Sequence, residues 1–505
     1  MQKQPIAVTA KTLVLTAITA FGLIGASDGT GGWPYGASAS PYATTASLDA
    51  TSASLYATTA SPYATSASPY AIGASPQEPA NASQDWPQWR GPHGTGVAEG
   101  ASLPVTWSED ANLAWKSPIN GLGVSSPVVA GERVFVTYQL GRGERAPGTH
   151  PTLVRDPEVD PSMERPLGGE AATRPDPTVE FAVAGYDRSD GRLLWEHVVA
   201  ARGPLPPVHD KHNLASPSPV TDAERVYAWF GTGQLVALDV AGGAEIWQRH
   251  LGERYSFEIQ WGHASSPTLY GDSLVLLSDH GREAKLLWID KLTGEEQRSL
   301  DRGASLSSHS TPMVVPGPNG DELIVNSSER LESFDPDTGE LLWFTGEPNR
   351  FPIGVATHAG GILYTSRGYR SGPYMAIRLG GRGQLGDEHV LWRVPTGAPY
   401  ISSLLFYDGH IYMANGNGIV TVTDPASGRR LWQERVGGIF ASSPVGGDGK
   451  VYLFSETGEG VVLEAGPSPR VLSRNDLGER IIASPAISNG RIFVRTDQSL
   501  IAIGG

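Results

Sequence analysis

One phrase recurs through the last four-fifths of this chain, and that recurrence constrains the fold more than any other feature. Each unit opens on Ser-Pro-hydrophobic, continues through a short strand-like run and closes on Asp-x-x-x-Gly-x-x-x-Trp. Openings stand at Ser126-Pro127-Val128, Ser218-Pro219-Val220, Ser266-Pro267-Thr268, Thr311-Pro312-Met313, Ser443-Pro444-Val445 and Ser484-Pro485-Ala486. Weaker versions fall at Pro352–Val355 and Ile401–Leu405, which makes eight. Spacings of 41, 45 and 48 residues suit a four-stranded propeller blade. Short Val, Ile, Leu and Tyr runs broken by Gly and Asp are a β signature, and sustained helical periodicity is absent.

The closings run in step with the openings. They are Asp187…Gly191…Trp195, Asp239…Gly243…Trp247, Asp335…Gly339…Trp343 and Asp424…Gly428…Trp432. The third unit keeps Asp290 and Gly294 but carries Gln297 near the Trp position, and the fifth keeps only Trp392. The chemistry of this phrase is structural. An Asp carboxylate accepts backbone N–H groups in a tight turn, Gly takes a positive φ, and Trp packs its apolar face on the sheet, between blades. These aspartates are therefore read as turn formers, not as catalytic acids. Gly380–Gly383 is read as an irregular loop.

The eighth unit stops after Arg491–Ile503 without an outer Trp strand, while Leu113-Ala114-Trp115-Lys116 precedes the first opening and supplies one strand. Pairing the two would close a ring and remove its exposed edges. The expected fold is all-β: an eight-bladed β-propeller of four-stranded antiparallel blades over 85–505, closed by an N-terminal strand. Seven blades follow if one weak unit is not a blade. Gly141 to Pro177 reads as a Pro-, Gly-, Arg- and Glu-rich loop insertion in the first unit.

Ahead of the propeller, Lys3 and Lys11 flank a short apolar run, Leu13–Ile24, followed by the small residues Gly25, Ala26 and Ser27. This reads as a signal peptide over 1–27. Residues 28–84 repeat Ala, Ser, Thr, Pro and Tyr (Tyr42, Tyr56, Tyr63, Tyr70) with too few large apolar side chains for a core, so they read as a tether. The reading places the protein in the periplasm or outside the cell, as a monomer with no transmembrane domain in the mature chain. A formal charge of −15 argues against nonspecific nucleic-acid binding. The chain has 0 Cys, which excludes disulfides, thiolate metal sites and cysteine nucleophiles.

Polar residues gather just ahead of three consecutive openings. They are Lys211, His212 and Asn213; Glu258, Gln260, Trp261 and His263; and His309. Asp279 and His280 follow a strand of the third unit. Superposed blades would bring these groups to one face near the central axis, as a candidate polar-ligand face. Imidazole and carboxylate suit a divalent cation, yet no spacing is diagnostic of one: there is no His-Glu-x-x-His and no EF-hand loop. Metal binding is left open, no catalytic residue is assigned, and a small polar ligand or a protein is the expected partner.

The repeated turns resemble those of pyrroloquinoline-quinone-type (PQQ-like) propellers over about residues 86–505. The opening Trp86-Pro87-Gln88-Trp89-Arg90-Gly91-Pro92-His93-Gly94-Thr95-Gly96 and the run His212–Pro219 are similar to exported bacterial BamB-like propellers, including planctomycete and acidobacterial members. That resemblance implies the fold, and it implies two functions. The first is a non-catalytic interaction or ligand-binding scaffold, with no cofactor expected. The alternative is a quinone- and Ca²⁺-dependent alcohol or sugar oxidoreductase acting through His212, His263 and His309. Against the alternative, alcohol-oxidising relatives carry a vicinal disulfide and a Glu/Asn/Asp set that this sequence does not match, and no haem-attachment motif is present. A polysaccharide-binding module is a third reading.

Overall fold

The computed structural model describes residues 85–505 except 101, 109, 142–178, 204, 206, 207, 209, 210, 254–262, 280–282, 304, 306, 350, 369 and 370. The signal-peptide, tether and insertion readings fall outside the described residues, apart from Gly141. Among the described residues the chain is built from β-strands with a single 3₁₀ turn at Leu251–Glu253, and no helix is long and apolar enough to cross a membrane.

The strands form eight antiparallel blades. Blade one is Val128–Ala130, Arg133–Leu140, Glu180–Asp187 and Leu193–Ala200; blade two is Val220–Thr221, Arg225–Trp229, Gln234–Asp239 and Glu245–His250. Six more follow, beginning at Thr268, Met313, Thr357, Leu405, Val445 and Ala486. The middle two strands of each blade bury both faces and are rich in β-branched and aromatic residues, as a sheet covered on both sides requires. Neighbouring blades share their cores; Phe181 and Phe230, for example, stack at 4.5 Å between blades one and two.

Ring closure follows the sequence reading. Leu113–Pro118 pairs antiparallel with Ser499–Ile503 and becomes the outer strand of blade eight. Its Trp115 then plays the part that the closing tryptophans play elsewhere. The Trp115 indole N–H donates to Arg188 O in blade one (2.9 Å), Trp195 to Val240 O (3.1 Å), Trp247 to Lys291 O (3.1 Å) and Trp392 to Pro425 O (2.9 Å). Each indole crosses to the Asp-Gly turn of the next blade and lies over its glycine, so these glycines need both a positive φ and the missing Cβ. Within the turn, Asp424 Oδ1 accepts the N–H groups of Ala426 and Ser427, both at 2.9 Å. In blade one the Ser189 hydroxyl and backbone N–H hold the Asp187 carboxyl below its usual range.

Two details of the sequence reading are corrected. In blade three the tryptophan position is held by Arg298, not Gln297. Its guanidinium donates to Asp337 O (2.6 Å) and lies 5.4 Å from the ring of Trp288. Trp288, one strand further in, supplies the indole N–H to Pro336 O (2.8 Å). The Gly380–Gly383 stretch is not wholly irregular. Gly383–Gln384 forms a fifth strand parallel to Leu341–Thr345, and Gly380 N–H binds the buried Glu322 carboxylate, which also takes the Trp343 indole N–H (2.5 Å). Blade five lacks the Asp-Gly turn, and Glu322 supplies the acceptor that turn would have offered.

The Ser-Pro openings form a second circle nearer the axis. Ser126 N–H donates to the Ser218 hydroxyl, Ser218 to Ser266 and Ser266 to Thr311, each at 2.9 Å. Val355 N–H donates to Ser403 (3.1 Å), Ser403 to Ser443 (2.9 Å), Ser443 to Ser484 (2.9 Å), and Ser484 back to Ser126 (3.1 Å). Hydroxyl and amide therefore link consecutive blades at every junction but Thr311–Val355, where valine has no acceptor. There Asn326 Nδ2 bridges instead, to Gly354 O and Ser366 O, both at 3.0 Å. A Val355→Thr protein is expected to gain about 1 kcal/mol of stability, because it offers Thr311 N–H an acceptor at little change in volume. Equilibrium urea denaturation checks this; a loss of stability would mean that the Val355 site cannot orient a hydroxyl toward Thr311.

Candidate functional site: a blind axial cavity

Depth along the axis is set by strand periodicity. Residues two positions before each ring residue point the same way. They are Val124, Ser216, Ala264, His309, Ile353, Ile401, Ala441 and Ile482, and all of them line one cavity of about 180 Å³. Below this largely apolar layer lies the hydroxyl ring, from which Ser126, Ser218, Ser266, Thr311, Ser443 and Ser484 border the same space.

The far end is closed by the Trp86–Gly96 segment, which binds the open edges of the inner strands. Trp86 and Val129 exchange backbone hydrogen bonds (2.9 and 2.8 Å), Thr221 N–H donates to Pro87 O (2.9 Å) and Gly446 N–H to Gly96 O (2.9 Å). Val97–Ala98 then pairs with Val445–Gly447 of blade seven. Arg90 pins this plug. It is 1% exposed and donates to Gly94 O (3.2 Å), Thr95 O (2.6 Å) and Leu404 O of blade six (2.7 Å). Burial pulls its pKa down to about 9. Gly91 and Gly96, both at φ +82, fold the segment tightly around Trp86 and Arg90. Trp89 is the plug residue that faces the cavity.

The open end lies on the face where blades connect to one another and where the second and third strands of each blade meet. Connections there are long, from Leu140 to Glu180, Ala200 to Val220 and Glu253 to Thr268, whereas the opposite hairpins are as short as Ala130 to Arg133. Around the mouth stand Lys211, His212, Phe351 and Tyr400. The His212 and His309 rings are 6.3 Å apart, and His309 stacks on Phe351 at 6.3 Å. Lys211 Nζ reaches Glu456 of blade seven (2.5 Å), which also accepts from Arg480 (3.0 Å), so an ion-pair strap crosses from blade two to blade eight.

Of the candidate residues read from sequence, Lys211, His212 and His309 converge on the cavity. Three others do not. Asn213 is a buried turn former whose Oδ1 accepts Ala215 N–H (2.8 Å). His263 is buried against Trp229 at 4.2 Å, outside the cavity lining. Asp279 is buried in an ion pair with Arg302 (2.8 Å), whose other end meets Glu332 of blade four (2.5 Å). Burial raises the Asp279 pKa, against the pull of Arg302. Glu258, Gln260, Trp261 and His280 lie outside the described residues. Sequence reasoning missed Trp89 and Arg90 as site-forming residues, although it singled out the motif that holds them.

A quinone with Ca²⁺ does not fit the described lining. Ca²⁺ takes six to eight oxygen ligands, carboxylates prominent among them, and no Asp or Glu among the described residues lines the cavity. Among the described residues no group of three or more His, Asp or Glu side chains is placed to hold a metal ion.

Fold and repeat together define a PQQ-like β-propeller repeat protein. The chain belongs to the family of outer membrane protein assembly factor BamB, whose model matches residues 179–349 and 416–504, a little over half of the chain. It is 24% identical to outer membrane protein assembly factor BamB of Yersinia pestis, over 53% of this chain and 70% of that one. It is 25% identical to tetrathionate hydrolase of Acidithiobacillus ferrooxidans, over 54% of this chain, and spans about half of that protein's length (53%). Among solved structures, a europium-containing methanol dehydrogenase matches with a TM-score of 0.59 at 12% identity, covering 82% of this chain and 90% of that one; this likeness shows the fold alone.

Proposed function

We propose that the protein is an exported, non-catalytic propeller, a binding scaffold that engages a partner or ligand through its long-loop face and the axial cavity opening there. The observation that carries this reading is the cavity itself. It is closed below by Trp89, walled by a largely apolar layer above the hydroxyl ring, and offers no carboxylate among the described residues to act as a base or to hold a metal. The repeated aspartates are engaged in turns. Membership of a family described as an outer membrane protein assembly factor supports both a scaffold role and an envelope location. The reading needs no bound cofactor.

Two measurements test it. A photoreactive residue at the exposed Glu329 position, on the long-loop face, is expected to crosslink a discrete envelope partner in cells, whereas one at Asp272, in a hairpin of the opposite face, is not. Native mass spectrometry with pyrroloquinoline quinone and Ca²⁺ is expected to show no stoichiometric adduct. An adduct that is lost in a His212→Ala/His309→Ala protein, together with dye-linked oxidation of an alcohol or sugar, would replace the scaffold by an oxidoreductase.

A further inference from the structure

The hydroxyls of the inner ring are only half used. Each accepts one backbone N–H from the preceding blade. None of them donates its own proton to an acceptor among the described residues. A hydroxyl that accepts an N–H is a polarised, stronger donor, and a buried donor left without an acceptor is costly. Ser126, Ser218, Ser266, Ser443 and Ser484 are between 2% and 6% exposed, and with Thr311 they border the axial cavity. Six unused O–H donors therefore surround one short stretch of the axis.

Their surroundings select what they bind. Above the ring the cavity is apolar, with Ile353, Ile401 and Ile482 in the layer two residues earlier. Among the described residues no carboxylate borders the space, and Lys211, paired with Glu456, stands at the mouth. At ring depth the donors are hydroxyls, with no ammonium or guanidinium of the described residues bordering the cavity there. Such a shell suits one diffuse negative charge and does not neutralise a dianion. An apolar layer above a donor ring calls for a ligand with an apolar stem and an anionic head.

We propose that the ring is a binding annulus for the carboxylate of a small monocarboxylic acid, whose alkyl stem fills the apolar layer toward the mouth. This rests on the reading of the cavity as a binding site and names its ligand class.

Calorimetric titration of the full chain with hexanoate, 1-hexanol and hexylammonium tests it. Hexanoate is expected to bind at one site at least about tenfold more tightly than 1-hexanol, as charge-assisted hydrogen bonds imply. Hexylammonium is expected to give no heat, and inorganic phosphate none. A Ser443→Ala/Ser484→Ala protein should lose about tenfold or more in hexanoate affinity while 1-hexanol affinity stays nearly the same. Because that pair also removes two interblade acceptors, the Ser443→Thr/Ser484→Thr protein, which keeps both hydroxyls, is the folded control and should retain hexanoate binding. Ile401→Trp should abolish both. Equal affinity for acid and alcohol, undiminished hexanoate binding in the alanine pair, or no hexanoate binding at all would overturn the annulus. A persisting Glu329 crosslink in that event leaves the scaffold standing, so the two readings fail separately.

Discussion

An Arg90→Ala protein is expected to be about 2–4 kcal/mol less stable than the wild type. Two opposing terms set that figure. The guanidinium is buried with no carboxylate of the described residues beside it, so its removal relieves a desolvation cost, the one that pulls its pKa down to about 9. Against this, three backbone carbonyls (Gly94, Thr95 and Leu404) lose their donor, and a void opens where Gly96 had closed against the guanidinium. The Leu404 carbonyl is buried, and an orphaned acceptor there costs about 1–3 kcal/mol; with the void and the two half-buried carbonyls of the plug, the loss outweighs the relief. Urea denaturation reads the stability, and amide hydrogen exchange reads the location. Thr221 and Gly446 N–H groups bind plug carbonyls, so their protection should collapse before that of the blade interiors. Trp89→Ala, which trims a half-buried ring facing the cavity, should change stability by no more than about 1 kcal/mol while deepening the pocket. If Arg90→Ala proved neutral, the plug would be held by its strand-edge bonds and not by the buried cation.

The propeller was legible because most of its junctions are built from the same residue types. The Ser-Pro openings were countable before their purpose was known: the hydroxyl is the acceptor that ties one blade to the next. Even the weak units fit, since Val355 and Ser403 occupy ring positions. Blade three was misread for a physical reason. A fixed spacing identifies a position, and position 298 is there, but an indole from the adjacent strand fills the slot over an arginine, and no local rule announces that exchange. The plug was seen as a motif and not as an element, because eleven residues of irregular backbone carry no period; only the exposed strand edges around the axis, visible in three dimensions, explain why the segment lies where it does. For the site, parity was the unused signal. His309 stands two residues before its ring position and faces the axis, whereas His263 stands three before Ser266 and turns into the blade against Trp229. Asp279 shares the long-loop face but is bound by Arg302, a partner from the fourth strand of the same blade that only the fold brings near.

The tryptophan–glycine contact between blades predicts a second large loss. Gly243→Ala is expected to cost about 2–4 kcal/mol, from two separable sources. Gly243 has φ +69, which costs an L-residue about 1–2 kcal/mol. An added Cβ would also fall well inside contact distance of the Trp195 ring, whose indole is fixed by its bond to Val240 O (3.1 Å) and so cannot tilt away without breaking it. Gly271→Ala separates the terms: its φ is +55 but nothing lies within 4 Å of the added carbon, so only the backbone strain of about 1–2 kcal/mol should appear. The decisive comparison is a double-mutant cycle. In a Trp195→Ala background the Gly243→Ala cost should fall to the Gly271 value, because the ring that resisted the methyl is gone. A cost unchanged by removal of Trp195 would mean that the turn's own backbone, and not the docked indole, sets the requirement for glycine. The same glycine would then have to be explained inside one blade rather than between two.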